Sequence, residues 1–98
     1  MSTFVLAHFT IHDQAGYARY VELATPIFMR EGVKILANDT APVAITPNMK
    51  GDKVVLLEFR DDAHMAHFFA LEDYNAAAVH RNKASTLSAV KFDRFTAG

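Results

Sequence analysis

The sequence predicts an α+β fold, a split β-α-β sandwich in which four antiparallel strands carry their helices on one face. Three observations lead there. Strand-like and helix-like segments follow one another as strand, helix, strand, and that order is repeated once. Two strand segments, Phe4-Val5-Leu6-Ala7 and Val54-Val55-Leu56-Leu57, are almost continuously apolar, as expected of strands in the middle of a sheet. The chain has 98 residues and no linker-like or low-complexity stretch, so the elements form a single domain over residues 1–98.

Thr3 to Ile11, rich in β-branched and aromatic residues, reads as the first strand. Asp13 then stands at the N-cap of a helix whose apolar residues Tyr17, Tyr20, Val21, Ala24, Ile27 and Phe28 recur at helical spacing. Pro26 falls inside that pattern, where a lost hydrogen bond and a clash with the preceding turn cost about 3 kcal/mol. Either Thr25 caps a fresh turn or the helix continues with a kink, and the unbroken spacing favours the kink, with Gly32 closing the helix. Val33 to Ala37 reads as a short strand. Asn38 to Asp52, with Pro42, Pro47 and Gly51, reads as an irregular connection with a candidate strand piece at Val43-Ala44-Ile45. Lys53 to Arg60 is the next strand. Asp61 or Asp62 caps a helix running past Phe68 and Phe69, Asp73 caps a further segment from Tyr74 to about Lys83, and Thr86 to Phe95 alternates as a final strand.

Right-handed crossovers put the first and third strands side by side in the middle of the sheet. Alternation then places Val5, Ala7, Phe9 and Ile11 on one face with Val55, Leu57 and Phe59, an apolar set that belongs under the helices. The other face carries Phe4, Leu6, His8 and Thr10 with Val54, Leu56, Glu58 and Arg60. Nothing in the remaining chain covers it, so the partner expected there is a second copy of the chain. Burying several hundred Å² of apolar surface at ~25 cal/mol per Å² contributes on the order of 10 kcal/mol before association entropy.

The composition excludes several classes. Ten basic against eleven acidic side chains, a net charge of -1, leave no basic footprint for nucleic acid or an anionic membrane. The absence of cysteine removes disulfides, thiolate metal sites and cysteine nucleophiles. Glycines scattered at positions 16, 32, 51 and 98 make no phosphate-cradling loop, and no serine sits in a Gly-x-Ser-x-Gly turn. The apolar run from Phe4 to Ala7 is too short for a signal sequence or a membrane span, so the expected location is the cytoplasm.

Two constellations are candidates for chemistry. If the first and third strands run parallel with Phe4 beside Val54, equal offsets bring His8 beside Glu58, a carboxylate orienting an imidazole as a general base requires. The plainer reading is a structural polar pair inside an interface. The second candidate is a cleft between helices and sheet: Tyr17 and Tyr20 on the first helix face Tyr74 and Arg81 on the last, with His80 adjoining. Aromatic walls with a few polar tips suit a small organic ligand, and Arg81 suits a carboxylate or enolate oxygen. Alternatively the tyrosines are core residues whose hydroxyls reach water, and Arg81 pairs with Glu58, Glu72 or Asp73. His64 and His67 stand three apart on a helix whose apolar face runs through Ala63, Met65, Ala66, Phe69 and Ala70; both read as solvated, with no third ligand for a metal.

In order and spacing, several segments together resemble the DUF1330 family. They are Phe4-Val5-Leu6-Ala7, Tyr17-Ala18-Arg19-Tyr20, Pro26 with Gly32, Val54 to Phe59, Ala66-His67-Phe68-Phe69, Tyr74 and Arg81. The resemblance covers nearly the whole chain. It implies a ferredoxin-like fold whose sheets pair into a dimeric α/β barrel, in a superfamily that includes cofactor-independent monooxygenases, small-lactone isomerases and haem-binding enzymes. The chain departs from the family at His8 and at Leu71-Glu72-Asp73-Tyr74. The expected function is a homodimer that binds a small organic molecule and, without cofactor or metal, transfers a proton or oxidises it. In that reading His8 and Glu58 are base and orienter, Arg81 is the anion stabiliser, and Tyr17, Tyr20, Tyr74 and His80 contact substrate. The alternative is a non-catalytic ligand-binding or structural dimer.

Overall fold

A computed structural model describes residues 2–49 and 51–96. The elements are β1 (Thr3–Ile11), α1 (Gln14–Arg30), β2 (Lys34–Asp39), β3 (Lys53–Phe59), α2 (Asp62–Phe69), α3 (Glu72–Ala84) and β4 (Ser85–Asp93). The strands form one sheet in the order β2-β3-β1-β4 with every neighbouring pair antiparallel, the ferredoxin-like βαββαβ arrangement. β1 and β3 are central, as their apolar runs predict. They are not parallel, because a split β-α-β unit places between two like-directed strands a third that must return.

Local chemistry sets the helix limits. The Asp13 carboxylate accepts from the Gly16 amide at 3.1 Å and caps α1. α1 continues through Pro26 unbroken, and the Thr25 hydroxyl, instead of capping a new turn, donates back to the Val21 carbonyl at 2.7 Å. Gly32, at φ 68°, turns the chain out of the helix. Asp61 caps α2 by accepting from the His64 amide at 2.8 Å. Asp73 does not cap α3, which begins at Glu72 with Leu71 at the cap position. The Asn75 side-chain amide ties down the carbonyls of Phe69 and Leu71 across the turn, at 3.0 and 2.8 Å, while the Asp73 carboxylate reaches Arg30 at 2.7 Å.

Val43-Ala44-Ile45 forms no strand; Val43 and Ile45 are exposed, and the flanking Pro42 and Pro47, which lack backbone donors, limit its extension on either side. β2 begins and ends slightly later than the sequence indicates, and β4 ends at Asp93.

The β1 and β3 residues of one parity pack under the helices, with Phe59 and Phe68 fully enclosed. Among the described residues no helix covers the opposite face, and only the loop before β3 approaches it, at His8 and Val54. Leu6 pairs with Leu56 on one side and Val90 on the other, and Val90 and Phe92 are 55% and 41% exposed. The molecule is 16 Å through its thinnest dimension between Cα atoms, enough for one helix layer on one sheet. No helix among the described residues is long and apolar enough to cross a membrane.

Candidate functional site

The helix-facing side of the sheet is built from small side chains at its centre. Ala7 of β1 lies between Val55 of β3 and Ala89 of β4, and Ala24 of α1 also borders the space above them. Larger residues there would close the layer to normal interior density. Instead a cavity of about 340 Å³ runs between helices and sheet. Thr25, Ile35 and Asn38 are exposed residues at its rim.

Tyr17 and Tyr20 project into this cavity from α1, and Tyr74 and Arg81, seven positions apart on one helical stripe, from α3. Arg81 Nη1 donates to the Tyr74 hydroxyl at 2.9 Å, and the hydroxyls of Tyr74 and Tyr20 are 2.9 Å apart. The guanidinium also lies over the Tyr20 ring, 5.6 Å from its centroid. The hydrogen bond between the two phenols uses one of their two hydrogens, so whichever donates, the other hydrogen is left without an acceptor in the array. Burial pushes the Tyr17 pKa up to about 12 against the opposing charge of Arg81. Burial and the neighbouring Tyr74 push that of Tyr20 higher still. Both phenols therefore stay protonated at neutral pH.

The four residues expected at the cleft from α1 and α3 are thus brought together. Arg81 pairs with none of Glu58, Glu72 or Asp73 among the described residues, and the Tyr20 and Tyr74 hydroxyls meet each other. His80 is half-buried beside Arg81 but does not line the cavity, since consecutive helical residues point about 100° apart.

Lys53 is the lining residue that the sequence reading passed over. It opens β3 opposite Phe9 and shares parity with Val55, Leu57 and Phe59, so its stem points under the helices. It is only 6% exposed, and its ammonium sits 4.6 Å from the centroid of the Tyr17 ring. Burial pushes its pKa down. The signal was in the sequence: a lysine at an inward position of an otherwise apolar strand face.

His8 and Glu58 are not a pair. In the antiparallel register His8 lies opposite Val54 and Glu58 opposite Phe4, which separates them by four strand positions, roughly 13 Å. Both also lie on the open face, so the sheet stands between them and Arg81. His8 packs its ring on Gly51, where a Cβ would fall 2.6 Å from Cε1, and Glu58 accepts from Arg94 at 2.8 Å. Hydrogen bonds from Ser2 and Arg94 hold the Glu58 carboxyl below its usual pKa.

His64 is buried, not solvated: Nδ1 accepts from the Arg60 amide at 3.0 Å and Nε2 donates to the Glu31 carbonyl at 2.7 Å. His67 is exposed beside Glu31 at 3.3 Å. No three His, Cys, Asp or Glu side chains converge on a metal-sized site among the described residues.

Solved structures share this architecture. A protein of unknown function from Rhodopseudomonas palustris, RPA0582, superposes with a TM-score of 0.82 at 16% identity, over 98% of this chain and 84% of that one. A dimeric ferredoxin-like protein of unknown function from Jannaschia sp. CCS1 gives 0.74 at 12%, over 96% and 100%. SnoaB, a cofactor-independent oxygenase from Streptomyces nogalater, gives 0.71 at 13%, over 98% and 95%. At these identities the likeness is one of fold. No curated protein is similar enough in sequence to count as a match. The model of the domain of unknown function DUF1330 matches residues 2–94, and the chain belongs to that family.

Proposed function

We propose that the protein binds a small, largely apolar organic molecule in the cavity between helices and sheet, with an oxygen of the ligand at the Arg81–Tyr74–Tyr20 array. The observation that carries this is the cavity itself. Interiors of small domains are close-packed with few voids larger than a water molecule, and about 340 Å³ lies within the range of ligand sites. The unspent phenol hydrogen gives the ligand oxygen a donor, and aromatic rings supply the walls.

The cofactor-independent oxygenase activity of SnoaB suggests the reaction class, in which Arg81, a residue lining the cavity, would stabilise an enolate or phenolate formed on a bound substrate. His8 and Glu58 have no part in that reading. A second copy of the chain covers the open sheet face in our proposal. Two features support it: the uncovered Leu6, Val90 and Phe92, and relatives of the same fold described as dimeric.

The test is amide chemical-shift mapping with small aromatic probes. We expect perturbations confined to cavity residues, and at least tenfold weaker binding in Val55→Phe, which fills the cavity from the sheet. Shifts confined to the open sheet face, or none at millimolar probe, would overturn the proposal.

A further inference from the structure

We infer that the cavity is selective for an anion, a small apolar acid bound as its carboxylate or phenolate, with Lys53 and Arg81 as the groups that recognise its charge. The inference rests on the cavity being a ligand site and names the class of ligand. It follows from how the cations of this molecule are paired.

On the outer surface, Arg19, Arg30, Lys91 and Arg94 each meet a carboxylate between 2.6 and 3.0 Å. Exposed Lys34, Arg60 and Lys83 meet none among the described residues but are hydrated by water, whereas of the two cations of the cavity, also without a carboxylate, Lys53 is buried and Arg81 half-buried. Among the described residues no carboxylate pairs with Lys53, and Arg81 spends its donors on the Tyr74 hydroxyl and the Asn82 side chain. Among the described residues no Asp or Glu lines the cavity. Its polar equipment is therefore biased towards donors and positive charge, facing a wall of aromatic and aliphatic side chains.

Lys53 is the stronger witness. Lysine is almost never buried unless paired, and its flexible stem normally carries the ammonium to water. Here the strand parity turns it inward, and the face of Tyr17 replaces only part of the lost hydration. With no counter-charge among the described residues, the Lys53 ammonium would gain from an anion bound in the cavity. The Tyr17 and Tyr20 rings, 5.6 Å apart, connect the two cations: Lys53 lies over the first and Arg81 over the second. A flat aromatic acid packed against this pair of rings would lie between the two cations, its charge directed to one or the other. The hydroxyl hydrogen left over between Tyr20 and Tyr74 gives its oxygen a further donor.

The probes are 2-naphthoate and its neutral isostere 2-naphthamide, titrated into the full chain by calorimetry and by chemical-shift mapping. We expect naphthoate to bind at least tenfold more tightly, and the ratio to fall below threefold in Lys53→Met, with Lys53→Gln as the companion should the first variant lose its dispersed spectrum. Equal affinities for the two probes would overturn the anion assignment and leave the cavity as a neutral-ligand site. A naphthoate preference unchanged in Lys53→Met, Lys53→Gln and Arg81→Met would overturn the role of these cations. Binding of neither probe at millimolar concentration, with cavity resonances unmoved, would overturn both this inference and the function proposed above.

Discussion

At Lys53 an ammonium group is held among Tyr17, Val55 and Phe9, and this sets a pH dependence of stability. Burial lowers its pKa in the folded protein below that of the unfolded chain. Between the lowered value and the ordinary one near 10.4 the unfolded state binds more protons, so the contribution of this group makes stability rise with pH across that window. Lys53→Met is expected to raise stability at pH 7 by on the order of 1–2 kcal/mol, because an apolar side chain of similar length replaces an unpaired charge. It is also expected to flatten the rise at alkaline pH. Urea unfolding of both proteins between pH 7 and 10 checks both effects; an unchanged slope would mean that Lys53 is solvated in the folded state. His64 shows the limit of reading single residues. The apolar residues around it fit more than one helical face, and only the Arg60 amide and the Glu31 carbonyl, brought in from two other segments, explain why the ring is inside.

α1 is the element whose limits were most legible, from Asp13 at its start to Gly32 at its end. Asp13→Ala is expected to destabilise the protein by ~1 kcal/mol by leaving the Gly16 amide without its acceptor, and Asp13→Asn to restore most of that. Denaturant midpoints at constant m-value give the comparison, and no loss in the alanine variant would mean that water caps the helix equally well. α3 was less legible. Alanines at positions 76, 77 and 78 give little contrast between faces, and its start depends on the Asn75 amide bonding the preceding turn rather than on a capping carboxylate. In β3 the alternation fixed which residues share a face but attached no meaning to Lys53 at its end.

For the molecule as a whole, the uncovered sheet face sets the expected assembly. Val90 lies beside Leu6 at the centre of that face, so Val90→Asp would carry a carboxylate into the proposed interface. We expect it to weaken dimerisation at least 100-fold, about 2.7 kcal/mol, in sedimentation equilibrium, with the monomer's fold retained. A wild-type chain that sediments as a monomer at micromolar concentration would remove the proposed interface. The sequence by itself determined the order of elements, the two central strands, the residues under the helices and the stripe from Tyr74 to Arg81, because alternation and helical spacing are local properties of the chain. Only the tertiary structure decided strand direction and register, and with them that His8 and Glu58 lie four positions apart on the far side of the sheet from Arg81. It alone left a cavity over Ala7 and Ala89 with Lys53 at its wall. Direction, register and empty volume depend on contacts between residues far apart in the chain, and no local pattern encodes them.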